Sequence, residues 1–550
     1  DSPDLYGWLR RAALQSQGID KQDLDGHPVI GICNSWSELT HCNAQLDHLS
    51  KAVKRGVSRA GGIPLEFPVM SLGEYNMRPT TMLYRNLMSM DVEESIRANP
   101  LDGVILLAGC DKTTPAMIMG AVSSGVPSIM VTSGPQLKAN WRGQELGTCT
   151  DCRRYQQELR AGRITEDDWS DLQSSIISSP GHCGVMGTAS TMAAIAEVLG
   201  IALPGNTDIP AASPRRAKLA EDAGRTIVEM VGQDTQPSDF ISSPALRNAI
   251  RVIHALGGST NAVIHLIAIA GRAGVELSLD LFDELSKTTP LLLDLKPSGQ
   301  YLMEDFFEAG GLSALLKEIS PLLDISTPTV TGMTLGENII GSKISNNEVI
   351  RPLLDPVTQD AGLAVLHGSL APTGAIIKQT AASPRLLRHR GRAVVFEDHD
   401  DLEQRIDSYE LDVMPDDILV MKNSGPIGAP GMPEWGFIPI PQKLLQRGVE
   451  DMVRISDARM SGTAFGTVVV HVTPESAAMG PLAAVRNGDI IELDVPGRRL
   501  DLLVDDREVE RRIATPDHSI KTFDRGYIQL FTRHVMQADK GCDFDFLRPF

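Results

Sequence analysis

Residues 106–117 read LLAGCDKTTPAM, which puts a cysteine, an aspartate and a lysine side by side at 110, 111 and 112. A thiolate is a soft ligand suited to iron or zinc, whereas a carboxylate is a hard ligand suited to magnesium. Their adjacency points to two metal centres sharing one pocket. Lys112 would then be an amine beside a cation, a poor arrangement unless it is paired, neutral or modified to an anion. The alternative is a surface lysine in a simple Asp-Lys pair.

Two more cysteines share the setting of Cys110. Cys42 in ELTHCNAQL and Cys183 in SPGHCGVMGTAS also fall just before a predicted helix, in loops that follow or could follow strands. In an open parallel sheet such loops gather at the carboxyl edge, so residues 68 (110 minus 42) and 73 (183 minus 110) positions apart can meet there. A helix N-terminus also favours the thiolate form. Three thiolates could thus hold one metal centre, or all three could be small buried hydrophobes. The pair Cys149 and Cys152 in GTCTDC could be a redox or zinc pair, but it lies in a polar segment without a second pair nearby. His41 and His48 beside Cys42 suit surface or capping roles. Further on, the Gly-rich stretches NSGPIGAPGMPE (423–434) and SDARMSGTAFG (456–466) read as shaped loops that present Glu434 and Ser461. There is no Gly-Lys-Ser/Thr phosphate loop, no G-x-G-x-x-G after a strand, no H-E-x-x-H and no G-x-S-x-G elbow.

The elements that must position these residues fall into two textures. The first two thirds alternate short apolar runs with helical patterns, the signature of a parallel sheet covered by helices. Strands are expected at His27–Cys33, Gly103–Ala108 and Ser128–Thr132. Helices are expected at Asn43–Ala60, at Pro115–Ser124 with Thr114 as N-cap, and at Thr188–Leu199. The segment from Gln136 to Ser179 reads as a polar surface excursion. From about Ala364 short β-branched runs between Gly/Pro turns indicate a β-rich, barrel-like domain. The expected organisation is α/β, with an N-terminal parallel-sheet α/β/α domain over 1–355 and a β-rich domain over 356–550 that supplies Glu434 and Ser461.

Composition sets outer limits. At 550 residues, with 42% hydrophobic and 22% charged residues, the chain is long enough for two cores. A formal charge of −19 argues against nucleic acid as partner. The longest apolar run, Ala262–Ala270, is far short of a membrane span. Seven cysteines fit a reducing compartment better than a disulfide framework, so a soluble cytoplasmic protein is expected.

Taken in order, GCDKTTPAM, CGVMGTASTM, GGSTNAV, KPSGQYLMEDFFEAGG, GPIGAPGMPE and SDARMSGTAFG resemble the iron-sulfur dehydratases, the family of dihydroxy-acid, 6-phosphogluconate and aldonate (sugar-acid) dehydratases. The resemblance implies that Cys42, Cys110 and Cys183 hold a 2Fe-2S cluster, leaving one iron open as a Lewis acid. It implies that Glu74, Asp111 and Glu434 bind Mg2+, that Lys112 is carbamylated into a further ligand, and that Ser461 is the base with Thr463 assisting or orienting substrate. The expected reaction is dehydration of a 2,3-dihydroxy acid to a 2-keto-3-deoxy acid by a homodimer or homotetramer. PTTMLYRNLMSMDVEE and MGTASTM look closer to the sugar-acid branch than to the branched-chain biosynthetic enzyme, which is the alternative. From other classes, a non-catalytic iron-sulfur sensor or a metal-free binding scaffold would not need the intact set of Glu74, Asp111, Lys112, Glu434 and Ser461.

Overall fold

The computed structural model describes residues 4–514 and 522–549. Strands β1 (Val29–Asn34), β2 (Ile63–Pro68), β3 (Gly103–Ala108) and β4 (Ser128–Thr132) form a parallel sheet in the order β2-β1-β3-β4. Every residue of β3 and β4 is buried, as expected of parallel strands covered on both faces. The helix Leu46–Arg59 packs against Pro214–Gly232, and Met82–Arg97 packs against Thr113–Ser124. One large apolar core runs through this layer and continues into the helices Ser243–Leu256 and Thr260–Arg272.

Several boundaries differ from the sequence reading. The helix expected from Asn43 starts at Leu46, after a short 3-10 turn at His41–Asn43, because the Asn43 side chain is taken up by Ser35, Ser71 and the Cys110 amide. The helix expected from Pro115 starts at Thr113, with Lys112 rather than Thr114 as N-cap. The Thr113 hydroxyl accepts from the Cys110 amide at 3.0 Å and donates to the Cys110 carbonyl at 2.8 Å, which winds the chain two residues early. Pro115 still fits, since the first turn needs no amide donor there. The excursion is structured too. A hairpin of β5 (Ala139–Trp141) and β6 (Gln144–Leu146) and the helices Thr150–Arg160 and Glu166–Gln173 enclose a small core of Trp141, Tyr155 and Leu172.

The β-rich region contains β7 (Ala364–Leu366), β8 (Gly374–Ile377), β9 (Arg388–Phe396), β10 (Ile418–Met421), β11 (Arg454–Ser456), β12 (Val468–Thr473), β13 (Ile490–Asp494) and β14 (Arg499–Leu502). They form one sheet in the order β14-β13-β9-β10-β11-β12-β8-β7. A bridge between His367 and Arg499 brings its two edges together, so the sheet is a nearly closed barrel around its own apolar core. Its middle strands, β9 to β12, are parallel, and the remaining pairs are antiparallel. Among the described residues no helix is long and apolar enough to cross a membrane.

Candidate active site

Parallel strands put the loops at their carboxyl ends on one side, and both sheets use this. The loop after β1 carries Cys42, that after β2 carries Glu74 and Tyr75, and that after β3 carries Cys110, Asp111 and Lys112. A bridge from Pro135, just past β4, to His182 brings Cys183 alongside. From the barrel, the loop after β10 supplies Glu434 and the loop after β11 supplies Ser461 and Thr463. All of these except the buried Lys112 line one cavity of about 240 Å³. Close approach depends on glycines. A Cβ at Gly109 would meet the Cys42 carbonyl at 2.5 Å, and one at Gly462 would lie 2.6 Å from Ser259 Oγ and 2.7 Å from the Thr188 amide.

Lys112 is fully buried, not a surface residue. Its ammonium lies 2.8 Å from Glu434 Oε1 and 3.3 Å from Glu74 Oε2, and it also contacts Asp111. Burial works against this charge, but the three carboxylates outweigh burial and hold Lys112 above the ordinary lysine range. Burial also opposes ionisation of Glu434, yet Lys112 and Arg459 bring its carboxyl down to about 2. Asp111 goes the other way, raised by burial and by Glu74 and Glu434 despite Lys112. Glu434 Oε1 accepts further bonds from Asn261 at 3.0 Å and Arg459 at 3.2 Å, while Glu74 is fixed by Thr80 at 2.9 Å and the Thr81 amide at 3.2 Å.

The thiols stand beside this acidic knot. Cys110 Sγ donates to Asp111 at 3.4 Å, so the soft and hard donors touch. A hydrogen bond with Cys110, then burial, holds the Cys42 thiol well above its usual range. Cys183 is raised chiefly by Cys149 and by burial. Cys149, from the excursion, is drawn below the ordinary value by hydrogen bonds from Cys152 and Cys183. The sequence reading left Cys149 outside the site because its segment looked detached, but the helix Thr150–Arg160 is tied back by a bond from Thr150 Oγ1 to the Thr463 carbonyl at 2.9 Å. His41 also faces the cavity, whereas the His48 side chain is 77% exposed.

Chemically, the pocket offers three functions. Ser461 Oγ lies 2.9 Å from Thr463 Oγ1 and 3.4 Å from the Thr463 amide, a hydroxyl with hydrogen-bond donors around it. Arg78, Arg153 and the start of the helix Thr188–Val198 face the cavity and suit an anionic ligand. The two donor sets suit a thiolate-bound cluster and a hard cation. Among the described residues no three His, Cys, Asp or Glu side chains close on a single point as a ready metal nest. The Lys112 ammonium stands where the carboxylates converge, and the thiols border a cavity. Converting that ammonium to an anionic carbamate would turn the same four groups into a cation site, so the residues fit both groups. Sequence reasoning missed Asn261 and Arg459, although both lie inside the motifs GGSTNAV and SDARMSGTAFG, and it missed Tyr75 and Arg153, which carry no local signal.

The α/β sheet and the barrel thus jointly present a serine hydroxyl, an anion-binding wall and neighbouring thiols and carboxylates to one cavity, an arrangement suited to an enzyme acting on a small anionic substrate. The chain belongs to the dihydroxy-acid/6-phosphogluconate dehydratase family, matching its N-terminal part over residues 27–338 and its C-terminal part over residues 348–542. It is a dehydratase, a hydro-lyase. The chain is 51% identical to an L-arabonate dehydratase of Azospirillum brasilense, covering 99% of this chain and 95% of the relative. It is 46% identical to a 6-deoxy-6-sulfo-D-gluconate dehydratase of Pseudomonas putida, covering 100% and 95%. A dihydroxy-acid dehydratase of Caldicellulosiruptor bescii is 36% identical, with 97% of each chain covered.

Proposed function

We propose that the protein dehydrates a sugar acid, a 2,3-dihydroxy carboxylate of the aldonate type, to the 2-keto-3-deoxy acid. The carrying observation is the set of polar side chains placed on the cavity wall. Thr40, Arg78, Arg153 and Ser461 line it with polar groups that a hydroxylated acid can meet. The sugar-acid names of relatives at 46% and 51% identity support the same choice, against 36% for a dihydroxy-acid dehydratase. We also propose the division into domains at 355/356.

In this reading Cys42, Cys110 and Cys183 hold a 2Fe-2S cluster, and Glu74, Asp111, Glu434 and carbamylated Lys112 hold Mg2+. Together these groups supply Lewis acidity to the departing 3-hydroxyl and to the charge that develops when C2 loses its proton. Ser461 Oγ removes that proton. A free serine is far too weak an acid to be ionised near neutrality, so its alkoxide depends on the donors beside it, Thr463 Oγ1 and the Thr463 amide. Arg78 is held by the carbonyls of Glu74, Tyr75 and Met77 at 3.0–3.3 Å and gives the substrate carboxylate a fixed cation to meet. A sensor that only carried a cluster would need neither Ser461 nor this cation wall.

The test is 2-keto acid formation by anaerobically purified protein with magnesium, across arabinonate, xylonate, gluconate, galactonate, glycerate and 2,3-dihydroxyisovalerate. Turnover favouring an aldonate is expected, with Ser461→Ala keeping the cluster absorbance and losing at least about 10²-fold in kcat. Turnover favouring dihydroxyisovalerate would refute the substrate assignment, and an active Ser461→Ala variant would refute the base.

A further inference from the structure

The proposed chemistry leaves one thiol of the cavity without a task. Cys149 Sγ lies 3.5 Å from Cys183 Sγ, and the Tyr75 hydroxyl reaches both, at 3.2 Å and 3.6 Å. Cys42 and Cys110 line the same cavity. Four thiols therefore border the same cavity, two of them, Cys149 and Cys183, in direct contact. Two thiolates on one tetrahedral metal, each at about 2.3 Å, stand about 3.8 Å apart. The separation of Cys149 and Cys183 is close to that value and far from the bond length of about 2.0 Å in a disulfide. Cys149 is also held at φ 74°, a conformation that costs a non-glycine residue about 1–3 kcal/mol. It stands at the N-terminus of the helix Thr150–Arg160, where a thiolate is favoured.

We propose that Cys149 is a fourth thiolate of the iron-sulfur site, sharing one iron with Cys183 while Cys42 and Cys110 share the other, and that the sugar acid reaches its iron by displacing Cys149. The proposal rests on the cluster reading given above. In the exchange, one iron–sulfur bond breaks as one iron–oxygen bond to the substrate hydroxyl forms. The released thiolate takes up a proton from solvent, and no electron is transferred. The substrate-free centre is thereby closed to small oxygen ligands, and Cys149 acts as a gate on the open position.

Mössbauer and resonance Raman spectra of the anaerobic full-length enzyme test this, with L-arabinonate as the probe. The substrate-free wild type should show two equivalent, all-sulfur iron sites, and the probe should shift one of them to oxygen coordination. Cys149→Ala should show two inequivalent sites before any probe is added, whereas Cys152→Ala should retain the wild-type pattern. Inequivalent irons in the substrate-free wild type would overturn the proposal without recourse to a variant, as would a Cys149→Ala spectrum identical to wild type. A wild type lacking iron, acid-labile sulfide and visible absorbance would overturn the cluster reading itself and the proposal with it.

Discussion

Replacing Lys112 by methionine removes the one ammonium on which three carboxylates converge. In the metal-free protein Glu74, Asp111 and Glu434 would then face one another, with the Arg459 guanidinium, 3.2 Å from Glu434, as the near cation left. Removing one partner of a buried ion pair costs about 3–5 kcal/mol, and here the side chain lost is fully buried. Part of that loss is recoverable by protonation. Asp111 is already pushed above the ordinary carboxylate range, so in the variant it takes up a proton more readily still. A carboxyl whose folded pKa exceeds its unfolded value stabilises the fold at low pH and loses that contribution as pH rises. The gap between wild type and Lys112→Met should therefore widen from pH 5 to pH 8. Guanidinium unfolding of chelator-treated proteins at the two pH values measures it. A gap below about 1 kcal/mol at pH 8, or one that narrows with rising pH, would show that the ammonium does not neutralise this carboxylate cluster.

Two further outcomes follow from the same geometry. Glu434 is lowered from an ordinary 4.5 to about 2, so its stabilisation is complete above about pH 4.5 and disappears as pH falls toward 2. The contribution is about 3 kcal/mol; acid titration of the metal-free Glu434→Gln variant should give a flatter stability curve across that window, and an unchanged slope would contradict it. Gly462→Ala would press a Cβ against Ser259 Oγ and the Thr188 amide. Overpacking of this kind costs about 1–3 kcal/mol and would displace the Ser461–Thr463 pair, so kcat should fall more than about 10-fold while circular dichroism stays native; near-normal turnover would mean the loop has slack.

What could be read from the sequence was what local pattern encodes. The apolar runs of β1, β3 and β4 announce a buried parallel sheet, and the rule that loops gather at its carboxyl edge was enough to bring Cys42, Cys110 and Cys183 into one frame. Strands β9, β10, β12, β13 and β14 were visible as short β-branched runs, but β7, β8, β11 and the parallel order of β9 to β12 were not, because pairing is a long-range choice that leaves no periodicity in a three- or four-residue strand. The same limit explains Cys149. Its neighbours are polar, and the Gln136–Ser179 segment has only a small core of its own, so composition reads as surface. The tether from Thr150 to Thr463 spans 313 positions and is invisible to any local window. The residues that sequence reasoning places least well are thus those whose position is fixed by contact between the two sheets. Glu434, Arg459 and Ser461 meet Lys112, Asn261 and Thr188 only because both sheets point the carboxyl ends of their parallel strands into one cleft. A substitution that shifts one sheet against the other should therefore displace Glu434 and Ser461 relative to Lys112 and Asn261, while Cys42 and Cys110, which share the N-terminal layer, keep their places.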